Sequence, residues 1–177
     1  MKIPEISISI TEIPLQKNVQ LFVKREDLIH PNISGNKYWK LFYNINNYLN
    51  ENPENSFIIT FGGAYSNHIA ATAAVGKEFR LETLGIIRGE ELENKWQENP
   101  TLKLAHENGM NFRFVRREEY RNKETLTQNV AKEFPDALII PEGGTNELAV
   151  EGIQYMLNSD TESFDYLCTA VGTGGTI

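Results

Sequence analysis

The sequence predicts an α/β fold of open parallel sheets joined by helical crossovers. Three observations carry that expectation. Short runs rich in β-branched and aromatic residues alternate with segments whose apolar residues recur at three and four. Little else lies between them, and such alternation calls for parallel strands with helices crossing over. Glycine-rich turns follow strand-like runs at residues 62–63, 143–144 and 172–175, the place where open α/β sheets bind their ligands.

Each element has its own signal. "VQLFVK", from Val19 to Lys24, reads as a strand. From Asn36 to Leu49, Tyr38, Leu41, Phe42, Ile45, Tyr48 and Leu49 fall on one helical face. "SFIITF", from Ser56 to Phe61, is an apolar run of strand length, and the alanine-rich stretch from Ser66 to Phe79 is a helix able to pack close to a sheet. "ETLGIIR", from Glu82 to Arg88, is a strand. The polar loop from Gly89 to Asn99 reads as solvent-exposed slack. Asn99 as cap, Pro100 in the first turn and Gly109 as stop then delimit a helix. A strand from Asn111 to Arg116, a helix from Glu124 to Phe134 and a strand from Ala137 to Pro141 follow. A helix from Glu147 to Leu157 and a strand from Asp165 to Val171 complete the series.

Composition narrows the function classes. With 177 residues, 40% of them hydrophobic, the chain can bury a core as one domain or two small ones. A net charge of −7 without basic blocks argues against nucleic acid and anionic membranes as partners. A lone cysteine, Cys168, excludes an internal disulfide framework, fits a reducing compartment and is expected in the core. "MKIPEISISI" lacks the apolar stretch of a signal peptide, and no run reaches membrane-spanning length. A soluble, cytoplasmic protein is expected. His30, His68 and His106 are too scattered for a metal motif. Ser66 lies outside the Gly-x-Ser-x-Gly pattern of a hydrolase elbow. Ile177 stands where a dinucleotide fingerprint needs its third glycine.

What remains points to an anion. Gly172-Thr173-Gly174-Gly175-Thr176 suits a single phosphate, with close backbone amides and threonine hydroxyls, or is a plain tight turn. In "FGGAYSNHIAA", Ser66 either helps a helix start receive a carboxylate or phosphate, or simply caps the helix. In "IPEGGTNELA", Thr145 or Asn146 serves as cap, which leaves the glycine doublet before them unexplained. In "KREDLIHPNISGNKYWKL", Lys37 stands at a helix N-terminus, the wrong end for a positive charge unless something anionic or covalent offsets it.

"KREDL", "SGNKYWKL", "GGAYSNH" and "GTGGT", in that order, resemble the pyridoxal-phosphate enzymes of fold type II, the tryptophan-synthase-β-like group. The nearer likeness is to the 1-aminocyclopropane-1-carboxylate deaminase and D-cysteine desulfhydrase family, and it runs from Leu21 to Thr176. The resemblance implies pyridoxal 5'-phosphate as cofactor, a small amino acid as substrate and a homodimer. It implies that Lys37 is the catalytic lysine joined to the cofactor aldehyde, and that Ser66 is a second catalytic residue. Asn67 is implied to bond the phenolic oxygen of the cofactor ring, and Gly172, Thr173, Gly174, Gly175 and Thr176 to hold its phosphate. Ser66, Asn67 and His68 are implied to hold the substrate carboxylate. By the same analogy residues 1–55 and 138–177 belong to a larger domain and 56–137 to an inserted smaller one. The chain departs from the family in carrying Trp39 where arginine is usual. It also stops at "VGTGGTI", one residue past the phosphate turn, which suggests a fold completed elsewhere. The expected activity is ring-opening deamination, or β-elimination from D-cysteine. A truncated module that binds ligands or partners without catalysis is the reading of another class.

Overall fold

A computed structural model of the chain describes residue 1 and residues 8–33, 35–51 and 57–177. The expected strand start at Ser56 and the domain boundary at residues 55–56 lie outside them. Strands β1 (Ile10–Ile13) and β2 (Leu21–Lys24) form an antiparallel ribbon in which Ile10 lies opposite Lys24 and Ile13 opposite Leu21. This ribbon is an addition to the expected parallel sheet: β1 is four residues long and gives no alternation strong enough to read. Helix α1 (Asn36–Glu51) follows, buried along Tyr38, Trp39, Leu41, Phe42, Ile45 and Tyr48.

The main sheet is parallel throughout. Strands β3 (Phe57–Gly62), β4 (Glu82–Arg88), β5 (Met110–Val115) and β6 (Leu138–Ile140) lie in the order β5-β4-β3-β6. Helices α2 (Asn67–Phe79), α3 (Pro100–Glu107), α4 (Arg117–Arg121) and α5 (Lys123–Glu133) make the crossovers, and α6 (Glu147–Ile153) follows β6. Alternate residues of β3 face opposite layers, as a pleated strand requires. Ile58 packs with α1 and α2 through Leu41, Ala71 and Val75. Ile59 and Phe61 pack with Leu126 and Val130 of α5 on the other face. Ile69 and Ala73 of α2 meet Leu102 and Ala105 of α3 over Ile87 and Met110. The apolar residues of α2 are small or single, so the helix lies close to the sheet; a β-carbon on Gly76 would stand 2.4 Å from Thr83 Cγ2.

Caps behave as the sequence reads. Asn99 Oδ1 accepts from Thr101 and Leu102 amides at 3.0 Å, with Pro100 opening α3. Asn146 rather than Thr145 caps α6, accepting from Ala149 N at 2.9 Å, and exchanges side-chain amide bonds with Asn44 of α1 at 2.7 and 3.1 Å. Gly152 of α6 comes so close to α1 that a β-carbon there would stand 2.0 Å from Trp39 O. These two contacts fix α1 against α6.

Three expectations are corrected. Residues 165–171 form no strand; they are exposed and irregular, because a strand needs a ladder partner and no described strand pairs with them. Cys168 is therefore exposed rather than in the core. The segment from Gly89 to Asn99 is more than slack. It folds into two 3₁₀ turns, Glu90–Leu92 and Trp96–Glu98, with the Trp96 ring 4.5 Å from His106 and 5.5 Å from Phe112. No helix among the described residues is long and apolar enough to cross a membrane.

Candidate active site

The carboxyl ends of β3 and β6 open onto a cavity of about 280 Å³. Its walls come from four places: Asn36, Lys37 and Lys40 of α1, Ser66 to His68 at the start of α2, the turn after β6 at Glu142 and Gly143, and the glycine turn of Gly172 to Gly174 with Thr176. Residues separated by up to 140 positions in the chain are thus brought to one face. Gly175 is the exception among the expected phosphate-turn residues: it packs on Thr145 and Lys40 instead of lining the cavity.

The glycines at the strand ends are there for room. After β3, a β-carbon on Gly62 would stand 2.5 Å from Ile69 Cγ1 and 2.9 Å from Ser66 Oγ, so the strand could not approach the helix start. After β6, Gly143 and Gly144 adopt φ of 72° and 71°, which side chains rarely tolerate. This accounts for the doublet that capping left unexplained. Ser66 does cap α2, its Oγ accepting from Ile69 N at 3.3 Å, yet it also lines the cavity and keeps its hydroxyl proton to donate.

Lys37 is half-buried, and its Nζ donates to Asn36 Oδ1 at 3.0 Å. Desolvation lowers its pKa below the usual lysine value. Asn36 in turn donates from Nδ2 to Thr176 Oγ1 at 2.9 Å, tying the lysine's neighbour to the glycine turn. Lys40 is a residue the sequence reading passed over. It is 1% exposed, and its Nζ donates to Thr145 Oγ1 at 3.1 Å and Gly143 O at 3.3 Å. Burial, with the nearby Lys37 charge second, pulls its pKa down to about 8. The signal was present: positions 37 and 40 are three apart and share one helix face. Thr145 Oγ1 also bonds Thr173 Oγ1 at 2.7 Å, so Lys40, Thr145 and Thr173 form a chain into the glycine turn.

His68 is buried, its Nε2 2.8 Å from Thr60 Oγ1 and its Nδ1 without a partner. Burial first, then the Lys37 and Lys40 charges, lower its pKa to about 3, so the ring is neutral. Asn67 is exposed beside it at the first position of α2. Trp39, the position where the resemblance implies an arginine, donates from Nε1 to Glu26 Oε2 at 2.7 Å. A neutral donor thus occupies that position, and Lys24, 3.3 Å from Glu26 Oε1, supplies the positive charge.

The fold is that of the pyridoxal-phosphate enzymes of fold type II. The crystal structure of an aspartate racemase described as pyridoxal 5'-phosphate-dependent superposes with a TM-score of 0.63 over 89% of this chain and 45% of its own, at 15% identity, which speaks for fold alone. Within that class the likeness runs to the 1-aminocyclopropane-1-carboxylate deaminase and D-cysteine desulfhydrase group. The crystal structure of an ACC deaminase homologue superposes with a TM-score of 0.73 at 25% identity, over 97% of this chain and 54% of that one. The mitochondrial bifunctional D-cysteine desulfhydrase/1-aminocyclopropane-1-carboxylate deaminase of Arabidopsis thaliana is 32% identical over 182 residues, covering 92% of this chain and 44% of that protein. No family model matches the chain. The chain spans about half the length of the curated relatives it matches.

Proposed function

We propose that this chain contributes the lysine and the phosphate cradle of a pyridoxal-phosphate-dependent deaminase acting on a small amino acid. One observation carries the reading: a half-buried amine of lowered pKa shares a cavity with a glycine turn, two threonine hydroxyls and a second, buried lysine. These donors fit a phosphate monoester. Nothing lies within 4 Å of where a β-carbon would stand on Gly172 or Gly174, so the turn has space beside its amides. Lys40 supplies the positive charge and Thr173 and Thr176 the hydroxyls. Bound there, the cofactor would supply an aldehyde to hold an amine and an electron-poor ring to accept an electron pair.

The chain's own residues do the rest. Lys37 Nζ would be the attachment point, and its desolvation, which lowers its pKa, favours the unprotonated amine. With its Nζ free, Lys37 would be the base that moves a proton at the substrate carbon. Asn67, at the start of α2, would bond the cofactor ring with its side-chain amide, and the Ser66 hydroxyl would donate to the substrate carboxylate. The balanced reaction is 1-aminocyclopropane-1-carboxylate plus water to 2-oxobutanoate plus ammonia. A second reading, D-cysteine plus water to pyruvate, sulfide and ammonia, is supported by the double name of the Arabidopsis relative. That relative is mitochondrial by name, so the cytoplasmic location is a separate proposal, supported only by composition.

The test is reductive trapping. The chain is incubated with pyridoxal 5'-phosphate, reduced with borohydride, digested and mapped by mass spectrometry. The label is expected on Lys37; a label on Lys40, or none, overturns the assignment. Assay of 2-oxobutanoate against pyruvate and sulfide then separates the two substrates.

A further inference from the structure

The hydrogen bonds around His68 fix more than its position. Thr60 lies in β3 with its side chain fully buried. Its Oγ1 is 2.9 Å from the carbonyl oxygen of Ile140 in β6 and 2.8 Å from His68 Nε2. A carbonyl cannot donate, so the single hydroxyl proton of Thr60 goes to Ile140. The threonine oxygen then meets the ring only as an acceptor, and His68 must carry its proton on Nε2. Nδ1 is left as a bare lone pair, buried and without a partner.

The residue that carries this lone pair lines the cavity. The Nδ1–Cε1 edge of the ring is turned toward Gly144, where a β-carbon would stand 3.2 Å from Nδ1 and 2.9 Å from Cε1. The charged groups that bear on the ring are Lys37 and Lys40 of α1, both positive. On the turn after β6, Glu142 is engaged by Lys123. A second proton on Nδ1 would add a third positive charge to this group. A neutral ring offering a bare nitrogen repels the oxygen lone pairs of a carboxylate.

We propose that His68 is a fixed hydrogen-bond acceptor that selects a donor in the cavity, with Thr60 as the residue that positions its tautomer. For an amino-acid occupant, the group it addresses is the amine and not the carboxylate. This parts from the role that family likeness implies for His68 and leaves carboxylate binding to Ser66 and Asn67. The tautomer follows from the hydrogen bonds alone; the amino-acid occupant rests on the function proposed above.

The experiment is long-range ¹H–¹⁵N correlation of the imidazole rings in the cofactor-free 177-residue chain. His68 is expected as the Nε2–H tautomer, with Nδ1 in the far-downfield position of a bare nitrogen and unmoved between pH 5 and 8. Thr60→Val should shift both nitrogens toward tautomer-averaged positions, and Thr60→Ser should restore them, which a merely structural role for the hydroxyl does not require. At roughly pH 10, where an aliphatic amine is largely neutral, cyclopropylamine should move Nδ1 upfield, and cyclopropanecarboxylate should leave it in place. An Nδ1–H tautomer in the wild-type chain overturns the proposal, as does a shift by the carboxylate without one by the amine. Trapping on Lys37, measured on the same preparation, reports separately on the cofactor assignment.

Discussion

Replacing Lys40 with methionine separates what this residue costs the fold from what it gives the site. The amine titrates near 8 in the folded chain and near 10.5 when exposed. That lowering corresponds to at most about 3 kcal/mol by which burial and the nearby Lys37 charge together oppose folding with Lys40 as an ammonium. Methionine keeps the stem and its packing but leaves Gly143 O without its donor, at a cost of about 1 kcal/mol; Thr145 still has Thr173. The net expectation is a chain more stable by up to about 2 kcal/mol at pH 7. Between the two pKa values the unfolded wild-type chain holds the extra proton, so its stability rises with pH from about 8 to 10.5. The advantage of Lys40→Met should therefore fade over that range. Urea unfolding of both chains at pH 7 and pH 10 reads the difference directly. A variant less stable than wild type at pH 7, or an advantage that does not shrink by pH 10, would refute the reasoning. The same variant should lose affinity for pyridoxal 5'-phosphate while gaining stability.

Gly152→Ala should lower stability by about 1–3 kcal/mol despite a helix-propensity gain of about 1, because the new methyl meets Trp39 O; an unchanged urea midpoint would contradict the contact. Trp39→Phe should cost about 2–4 kcal/mol by removing the indole donor to buried Glu26, and a smaller loss in urea unfolding would show that Lys24 alone satisfies that carboxylate. His68 titrates near 3 folded and 6.5 unfolded, so the stability tied to its neutral form is complete above pH 6.5 and falls as pH drops toward 3. Acid unfolding of His68→Gln should lack that component, and identical acid limbs would show that the ring titrates normally.

Local signals in the sequence were read well, and pairings that depend on distant neighbours were not. The run Glu82–Arg88 is β4 residue for residue, and Asn99, Pro100 and Gly109 bracket α3, because caps and turn glycines act within a few residues of themselves. Helix α4 went unread since five polar-rich residues show no periodicity, and its one buried anchor, Tyr120, is visible only in three dimensions. "DYLCTAV" has a strand's composition without a ladder to join. In the site, motif order was enough to group Lys37 with Ser66, Asn67 and His68, which the fold does bring to one cavity. Lys40 and Thr60 were missed because their importance lies in burial and in partners about 80 to 100 residues away.

The charge balance of the cavity argues for its occupant independently of any likeness. In a chain of net charge −7, the side chains of its described walls carry Lys37 and Lys40 against one side-chain carboxylate, Glu142, which is already paired with Lys123. The Lys37 charge disfavours that of buried Lys40, His68 stays neutral, and the N-terminus of the thirteen-residue α2 adds its amides to the same cavity. Such a cluster is paid for by an anion that binds the folded chain and not the unfolded one. Inorganic phosphate should therefore stabilise the chain by about 2.7 kcal/mol at a hundred times its Kd, whatever that Kd proves to be. Because the anion holds Lys40 as an ammonium, the gain should be larger at pH 7 than at pH 10 and should vanish in Lys40→Met. Chloride at equal ionic strength is the control, since a general screening effect would not distinguish the two salts. Equal urea midpoints in phosphate and chloride at pH 7 would mean that the buried amine answers to nothing but its own hydrogen bonds, and the phosphate cradle would fall with it.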